Sequence, residues 1–347
     1  MPTALTLPNI DISPFLGERT PSSLLARQAT AAQVHDACTR YGFFYLSGIE
    51  SVVSQEEMDE GLSVAREFFG RPEEEKAKLR IKKGDGARGW QMIGENVTQY
   101  KADWHEGWDA YKPLSPSEED ATKLLHGPNQ WPTHPSSFRP VLERWVEKMH
   151  VLGYALTEAT ALALGIDVEG DSDEWRKMRA WVEDPFWVLR TIGYPPLPAD
   201  AEGISCGAHK DYGYYTLLHA DSTLGALQVF LRDSSSSYET GGTWINADPV
   251  PGTFVVNIGE MVEVLSAGLY KATLHRVVHK APSYRVSIPF FFEPSYDALI
   301  EPLPSALRLR SQLSSSSSTT EAPIKPVHYG TFLASKVAGN FALEKEY

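Results

Sequence analysis

Gly207-Ala208-His209-Lys210-Asp211 is the stretch on which the reading of this chain turns, answered downstream by His275 and then by Arg285-Val286-Ser287. Two imidazoles and one carboxylate form a facial metal site that leaves about half of an octahedral iron's positions open for chemistry. Alternate residues of a strand share a face, so His209 and Asp211 are expected to point together and Lys210 away. Arg285 has Ser287 as its next same-face neighbour, and a guanidinium beside a hydroxyl suits a second carboxylate. A lone His-x-Asp triplet is common by chance and is usually a satisfied surface or core pair. The ordered set of ligand pair, distal His and Arg-x-Ser is far rarer, and it points to an oxygenase-type site.

Composition narrows the field around that site. The chain has 347 residues, 42% of them apolar, with nine Trp, enough to bury a sizeable core. A net charge of −13 argues against a nucleic-acid partner, which needs a basic stripe to displace counterions. The densest basic group, Lys76, Lys78, Arg80, Lys82 and Lys83, follows Glu73-Glu74-Glu75 and reads as a solvated helical face. Cys38 and Cys206 are too few for a disulfide framework or a zinc ribbon. Cys38 sits in an apolar helical pattern and reads as a small buried hydrophobe. No basic and apolar leader opens the sequence, and no stretch approaches the roughly 20 apolar residues that span a bilayer. The expectation is a cytoplasmic protein with no membrane partner, in a reducing setting that suits ferrous iron. The chain carries no signal for its oligomeric state.

Punctuation along the chain gives the architecture. Residues 7–12 read as a short strand, Ser22 to Arg40 as an Ala-rich helix, and Phe43 to Leu46 as a buried strand. A helix is expected from Gln55 to Phe69, with Pro72 in the first turn of another. Ser136-Ser137 can cap a long helix whose Phe138, Leu142, Trp145, Met149, Leu152 and Leu156 form one core-facing stripe. From Trp187 to Phe292 the text changes to short β-rich runs separated by Gly, Pro and Ser, the pattern of a barrel or sandwich. Serine tracts at Ser234 to Ser237 and Ser314 to Ser318 read as loops, the second leading to a helix near Gly330 to Val337. The expected organisation is an N-terminal helical and strand layer at 1–180, a catalytic β core at 181–310, and a serine-rich loop with a C-terminal helix at 311–347.

The text around the ligands resembles the 2-oxoglutarate- and iron(II)-dependent oxygenases of the isopenicillin N synthase-like family. His209-Lys210-Asp211-Tyr212-Gly213, Gly242-Thr243-Trp244, Pro251 through Gly259, Leu274-His275-Arg276-Val277 and Arg285 through Phe291 carry the likeness. Leu7 through Ile12, Tyr41 through Leu46, Glu67-Phe68-Phe69 and Arg88-Gly89-Trp90 extend it over nearly the whole chain. The resemblance implies a mainly β fold with flanking helices, a double-stranded β-helix (jelly-roll) core under an N-terminal helical layer. It implies iron(II) on His209, Asp211 and His275, with 2-oxoglutarate and O2 as co-substrates. The distal carboxylate of 2-oxoglutarate would meet Arg285 and Ser287, and Tyr194 would add a hydrogen bond. Decarboxylation then releases succinate and CO2, and the oxidant formed attacks an unactivated C–H bond by hydroxylation, desaturation or ring rearrangement. The family's common Asn two residues before Tyr194 is Ile192 here, which weakens the Tyr194 contact relative to the Arg285 contact.

Substrate residues follow from strand alternation alone. Phe291 shares a face with Arg285 and Ser287 and is expected to look into the pocket, with core packing as the even alternative. Trp187 and Trp90 are further candidates for pocket walls, although core packing is favoured for both. His219, His279 and His105 read as surface or structural residues, since the triad is complete without them. Two other readings stay open: an isopenicillin N synthase-type oxidase that binds iron but uses no 2-oxoglutarate, and a catalytically silent metal- or ligand-binding protein. A hydrolytic zinc site also uses three ligands, but no dedicated general base stands beside this one. The preferred reading is an oxygenase of a small molecule in specialised metabolism, its substrate open.

Overall fold

The computed structural model describes residues 6–82, 87–98, 101–113, 125, 127–198, 204–232, 241–314 and 323–338. The first serine tract lies outside these residues, as does the second beyond Ser314. The N-terminal part runs β1 (Asn9–Asp11), α1 (Ser13–Leu16), α2 (Pro21–Arg40), β2 (Phe43–Ser47), α3 (Gln55–Phe69) and α4 (Glu73–Lys76). Ser54 starts α3 because its hydroxyl accepts the Glu57 N–H while the Glu57 carboxylate takes the Ser54 N–H, satisfying two otherwise orphaned donors. Next come β3 (Gly89–Gln91), the hairpin β4 (Val97–Thr98) and β5 (Lys101–Ala102), β6 (Glu106–Tyr111), α5 (Phe138–Ala163) and α6 (Asp173–Trp181).

The catalytic half continues as β7 (Trp187–Tyr194), β8 (Cys206–His209), β9 (Tyr215–Ala220), β10 (Leu227–Arg232), β11 (Gly242–Asn246) and β12 (Phe254–Ile258). It ends with α7 (Glu260–Leu265), β13 (His275–Val277), β14 (Arg285–Phe292), β15 (Leu299–Ile300), α8 (Pro304–Ser314), β16 (Val327–His328) and α9 (Tyr329–Ala338). Eight strands form the major sheet in the order β1-β2-β12-β9-β14-β7-β6-β3, and four form the minor sheet, β11-β10-β13-β8. Ile192, Leu227, Val229, Val255 and Val277 pack together in one buried cluster drawn from both sheets, giving the jelly-roll its apolar interior. Four of the eight major strands precede residue 181, so the sheet runs without interruption across the expected division at 180.

The outer face of the major sheet is covered by α3 and α5. The expected α5 stripe is buried from Phe138 to Leu156, and each such side chain contributes about 1.5–3 kcal/mol. Two local expectations need correction. Ser137 holds the N-cap position of α5, but its side chain makes no cap hydrogen bond, because its backbone is already helical. Lys76 is not on a solvated face. It is buried, with Nζ 2.6 Å from Glu106 and 3.0 Å from the Phe69 carbonyl. Cys38 is buried as expected, and burial pushes its thiol up to about 12.

Candidate active site

Strand pairing brings the histidines together: His275 on β13 stands directly across from His209 on β8. Their rings lie 4.3 Å apart between centroids. Each is oriented by its other nitrogen. His209 Nδ1 donates to the Gly207 carbonyl at 2.8 Å and His275 Nδ1 to the Thr273 carbonyl at 3.2 Å, which turns both Nε2 atoms toward Asp211. Asp211 Oδ1 lies 3.7 Å from His209 Nε2 and 3.6 Å from His275 Nε2. Its Oδ2 accepts hydrogen bonds from Asn257 Nδ2 at 2.6 Å and from the Thr216 hydroxyl. One carboxylate oxygen is pinned and the other is left for a cation.

The route to this geometry differs from strand alternation. β8 ends at His209, so Asp211 sits in the following loop, placed by the Glu260 N–H on its carbonyl and by the two side-chain donors. Lys210 precedes it in the same loop. It borders the cavity, 3.9 Å from Glu263. Burial would raise the Asp211 carboxyl, but the two imidazoles, Asn257 and Thr216 hold it below the usual carboxylate range. Burial, reinforced by His209, lowers His275 to about 4, so its imidazole is neutral and able to ligate. A second group, Asp103, His105 and Cys206, also converges, but hydrogen bonds from Asn96, Thr98 and the Gly207 N–H already occupy Asp103.

Arg285 lies on the inner face of β14, 2% exposed, with Nε and Nη1 lacking a hydrogen-bond partner among the described residues. Its guanidinium carbon lies 4.8 Å from the centre of the Tyr194 ring, and Ser287 follows on the same face. A buried cation without a counter-charge among the described residues is costly, so this one is set to receive an anion that is not part of the chain. Arg285 also borders a cavity of about 300 Å³.

A larger cavity, about 470 Å³, opens over His209 and Asp211. Phe291 lies on its wall, because β14 pairs with β7 in one unbroken register from Arg285↔Tyr194 to Phe292↔Trp187, without a bulge at Pro289. The same register corrects the expectation for Trp187. It pairs with Phe292, on the face opposite Phe291, and stacks on Phe290 at 6.2 Å in the core. Trp90 pairs with Trp108, also facing the helical layer, and its Nε1 donates to Glu106 at 2.8 Å. Neither tryptophan borders the cavity.

Cavity residues that the sequence reading missed include Arg190, Asp109, Tyr111 and Glu293, joined by Leu333, Lys336 and Val337 from α9. Arg190 donates to Asp109 at 2.8 Å and to Gln91 at 3.2 Å. Alternation could have found Arg190, which shares its face with Ile192 and Tyr194, and Glu293, two residues beyond Phe291. Nothing local in the sequence announces that α9 returns to the cavity.

Comparison with known proteins meets this geometry. Residues 7–134 match the family described as non-haem dioxygenase in morphine synthesis N-terminal, and residues 183–294 match the 2OG-Fe(II) oxygenase superfamily. A homoarginine-6-hydroxylase of Oryza sativa subsp. japonica is 38% identical over 345 residues, covering 97% of this chain and 98% of the relative. The chain belongs to the 2-oxoglutarate- and iron(II)-dependent oxygenases. A homoarginine-6-hydroxylase of Glycine max is likewise 38% identical, over 97% of both chains. Among solved oxygenases, a 2OG-Fe(II) oxygenase family protein of Caulobacter crescentus superposes with a TM-score of 0.74 at 27% identity, over 96% of this chain and 98% of that one. A full-length Neurospora crassa protein in complex with alpha-KG and thymine gives 0.76 at 24% identity over 98% of both chains, a likeness of fold. As an oxygenase of this family, the protein uses iron(II), 2-oxoglutarate and O2 to oxidise a small molecule. No helix among the described residues is long and apolar enough to cross a membrane.

Phe291 supplies a test of the cavity wall. Phe291→Ala is expected to alter the substrate KM or the product ratio. A core phenylalanine would instead lower stability by about 3–5 kcal/mol with products unchanged, which a thermal melt beside product analysis distinguishes.

Proposed function

We propose that this oxygenase hydroxylates a small amino acid carrying a cationic guanidino or related side chain, homoarginine foremost. The observation that carries the reading is end-to-end identity of 38% to relatives named homoarginine-6-hydroxylase. The cavity wall supports it through Glu293, a carboxylate that no cation pairs with among the described residues, whereas Asp109 and Glu260 are paired with Arg190 and Lys336. His209, Asp211 and His275 are read as the iron ligands, an assignment supported by the pinned Asp211 oxygen and the two aligned imidazoles. Arg285, Ser287 and Tyr194 are read as the seat of 2-oxoglutarate, because Arg285 Nε and Nη1 are buried without a hydrogen-bond partner among the described residues and a guanidinium suits a carboxylate. A reducing cytosol and a place in specialised metabolism complete the reading.

In this scheme, bound iron(II) lets O2 and 2-oxoglutarate convert a substrate C–H to C–OH with release of succinate and CO2. The chain's own residues do the rest. Asn257 and Thr216 keep Asp211 turned to the metal, Arg285 fixes the co-substrate's far end, and Phe291 limits how the substrate lies. Homoarginine-dependent succinate release, measured with iron(II) and 2-oxoglutarate present, tests the substrate class. Stimulation by homoarginine, with weaker responses to arginine or lysine, is the expected result. Succinate release no higher with any cationic amino acid than without would remove the class and leave the family untouched.

A further inference from the structure

We propose that Glu293 is the specificity-determining residue that reads a positive charge on the substrate and thereby chooses which carbon is oxidised. This rests on the cationic-substrate reading above. The argument begins with the charges on the cavity wall. Asp211 belongs to the metal and its imidazoles. Asp109 is paired with Arg190 at 2.8 Å and Glu260 with Lys336 at 2.8 Å. Glu293 is the remaining carboxylate, and among the described residues no cation pairs with it. Its Oε2 accepts the Tyr214 N–H at 2.8 Å, and the buried, uncharged Tyr329 hydroxyl lies beside it. Glu293 is 4% exposed. A carboxylate buried without a counter-charge is held at a cost, and burial pushes this carboxyl up to about 8. A guanidinium entering the cavity supplies the missing charge and two N–H donors in matching geometry.

The place of Glu293 fixes what such an anchor does. A Cβ on Gly213 would lie 1.4 Å from Glu293 Oε2, so the carboxylate rests against the backbone two residues past Asp211. With Cα atoms 3.8 Å apart along the chain, the carboxylate lies within about 8–10 Å of the metal ligand's backbone. A guanidinium held there leaves its adjoining methylene as the part of the substrate carried next to the metal. The amino-acid head extends away, toward the part of the cavity bordered by the paired Arg190 and Asp109 on the neighbouring strands β7 and β6.

Homoarginine and homocitrulline, its neutral ureido counterpart, separate charge from shape. The wild-type protein should favour homoarginine by at least about 30-fold in kcat/KM and in calorimetric affinity, the scale of a buried charge pair. Glu293→Gln, which keeps an acceptor for the Tyr214 N–H, should bring that ratio close to one. Glu293→Asp keeps the charge and should keep the preference while changing the product ratio. Full preference retained in Glu293→Gln overturns the role of Glu293 and leaves the substrate class standing. A wild-type protein that binds neither compound overturns the class and this inference together. Should Glu293→Gln not fold, as judged by its thermal melt, equal wild-type handling of the two compounds still overturns the proposal.

Discussion

Asp211→Ala is expected to release iron and abolish substrate-dependent succinate formation. Removing a residue that merely orients a metal ligand typically costs about 10–100-fold in metal affinity or activity, so loss of the ligand itself should exceed about 100-fold. Two features make the effect large. Asp211 supplies the oxygen that faces both His209 Nε2 and His275 Nε2, and its removal leaves the buried Asn257 and Thr216 donors unpaired. Asn257→Ala is the graded companion: it frees the Asp211 carboxylate to rotate and should fall in the 10–100-fold range. Metal content after dialysis, with calorimetric iron titration, checks both. An Asp211→Ala protein that keeps stoichiometric iron and turnover would show that the metal sits elsewhere.

Arg285→Ala should raise the KM for 2-oxoglutarate while leaving iron affinity nearly unchanged. Truncating one partner of a buried charge pair costs about 2–5 kcal/mol, which corresponds to a rise of roughly 30-fold to several thousand-fold. The wild-type guanidinium is buried and incompletely hydrogen-bonded, so little inside the protein compensates for its loss. Arg285→Lys retains the charge but not the fork, and should recover only part of the affinity. Saturation curves in 2-oxoglutarate with matched iron loading decide the matter. Identical curves for Arg285→Ala and wild type would assign this cation to a substrate carboxylate, as an oxidase without 2-oxoglutarate would use it.

What the sequence made legible was periodic or local. The α3 bounds Gln55–Phe69 follow from a capping serine and an apolar stripe, both visible in one turn of text. The β14 alternation places Arg285, Ser287 and Phe291 on one face because no bulge breaks its register. Where the reading slipped, a longer-range term decided the outcome. Trp187 belongs to the other face of β7 from Tyr194, so it packs in the core, the alternative the sequence already favoured, and does not line the wall. Asp211 reaches the histidines through a loop held by Asn257, a residue far away in sequence. Lys76 looked like surface because its partner Glu106 lies on β6, a strand the sequence did not announce. The Arg190–Asp109 pair joins two strands separated by α5 and α6, so neither residue alone suggested a cavity wall.

The return of α9 to the cavity has an evolutionary consequence. Leu333, Lys336 and Val337 touch the space where a guest would lie, yet they share no strand with the iron ligands or with Arg285. Lys336 is tied back by Glu260, on the helix that follows Asn257, so this segment is fastened to the barrel beside the metal ligands. Selection can therefore revise what the enzyme accepts by rewriting one terminal helix, while the oxidising centre is inherited intact. In such a layout α9 joins Phe291 and Glu293 as a place where new substrates arise, and the chemistry itself is not put at risk with each trial.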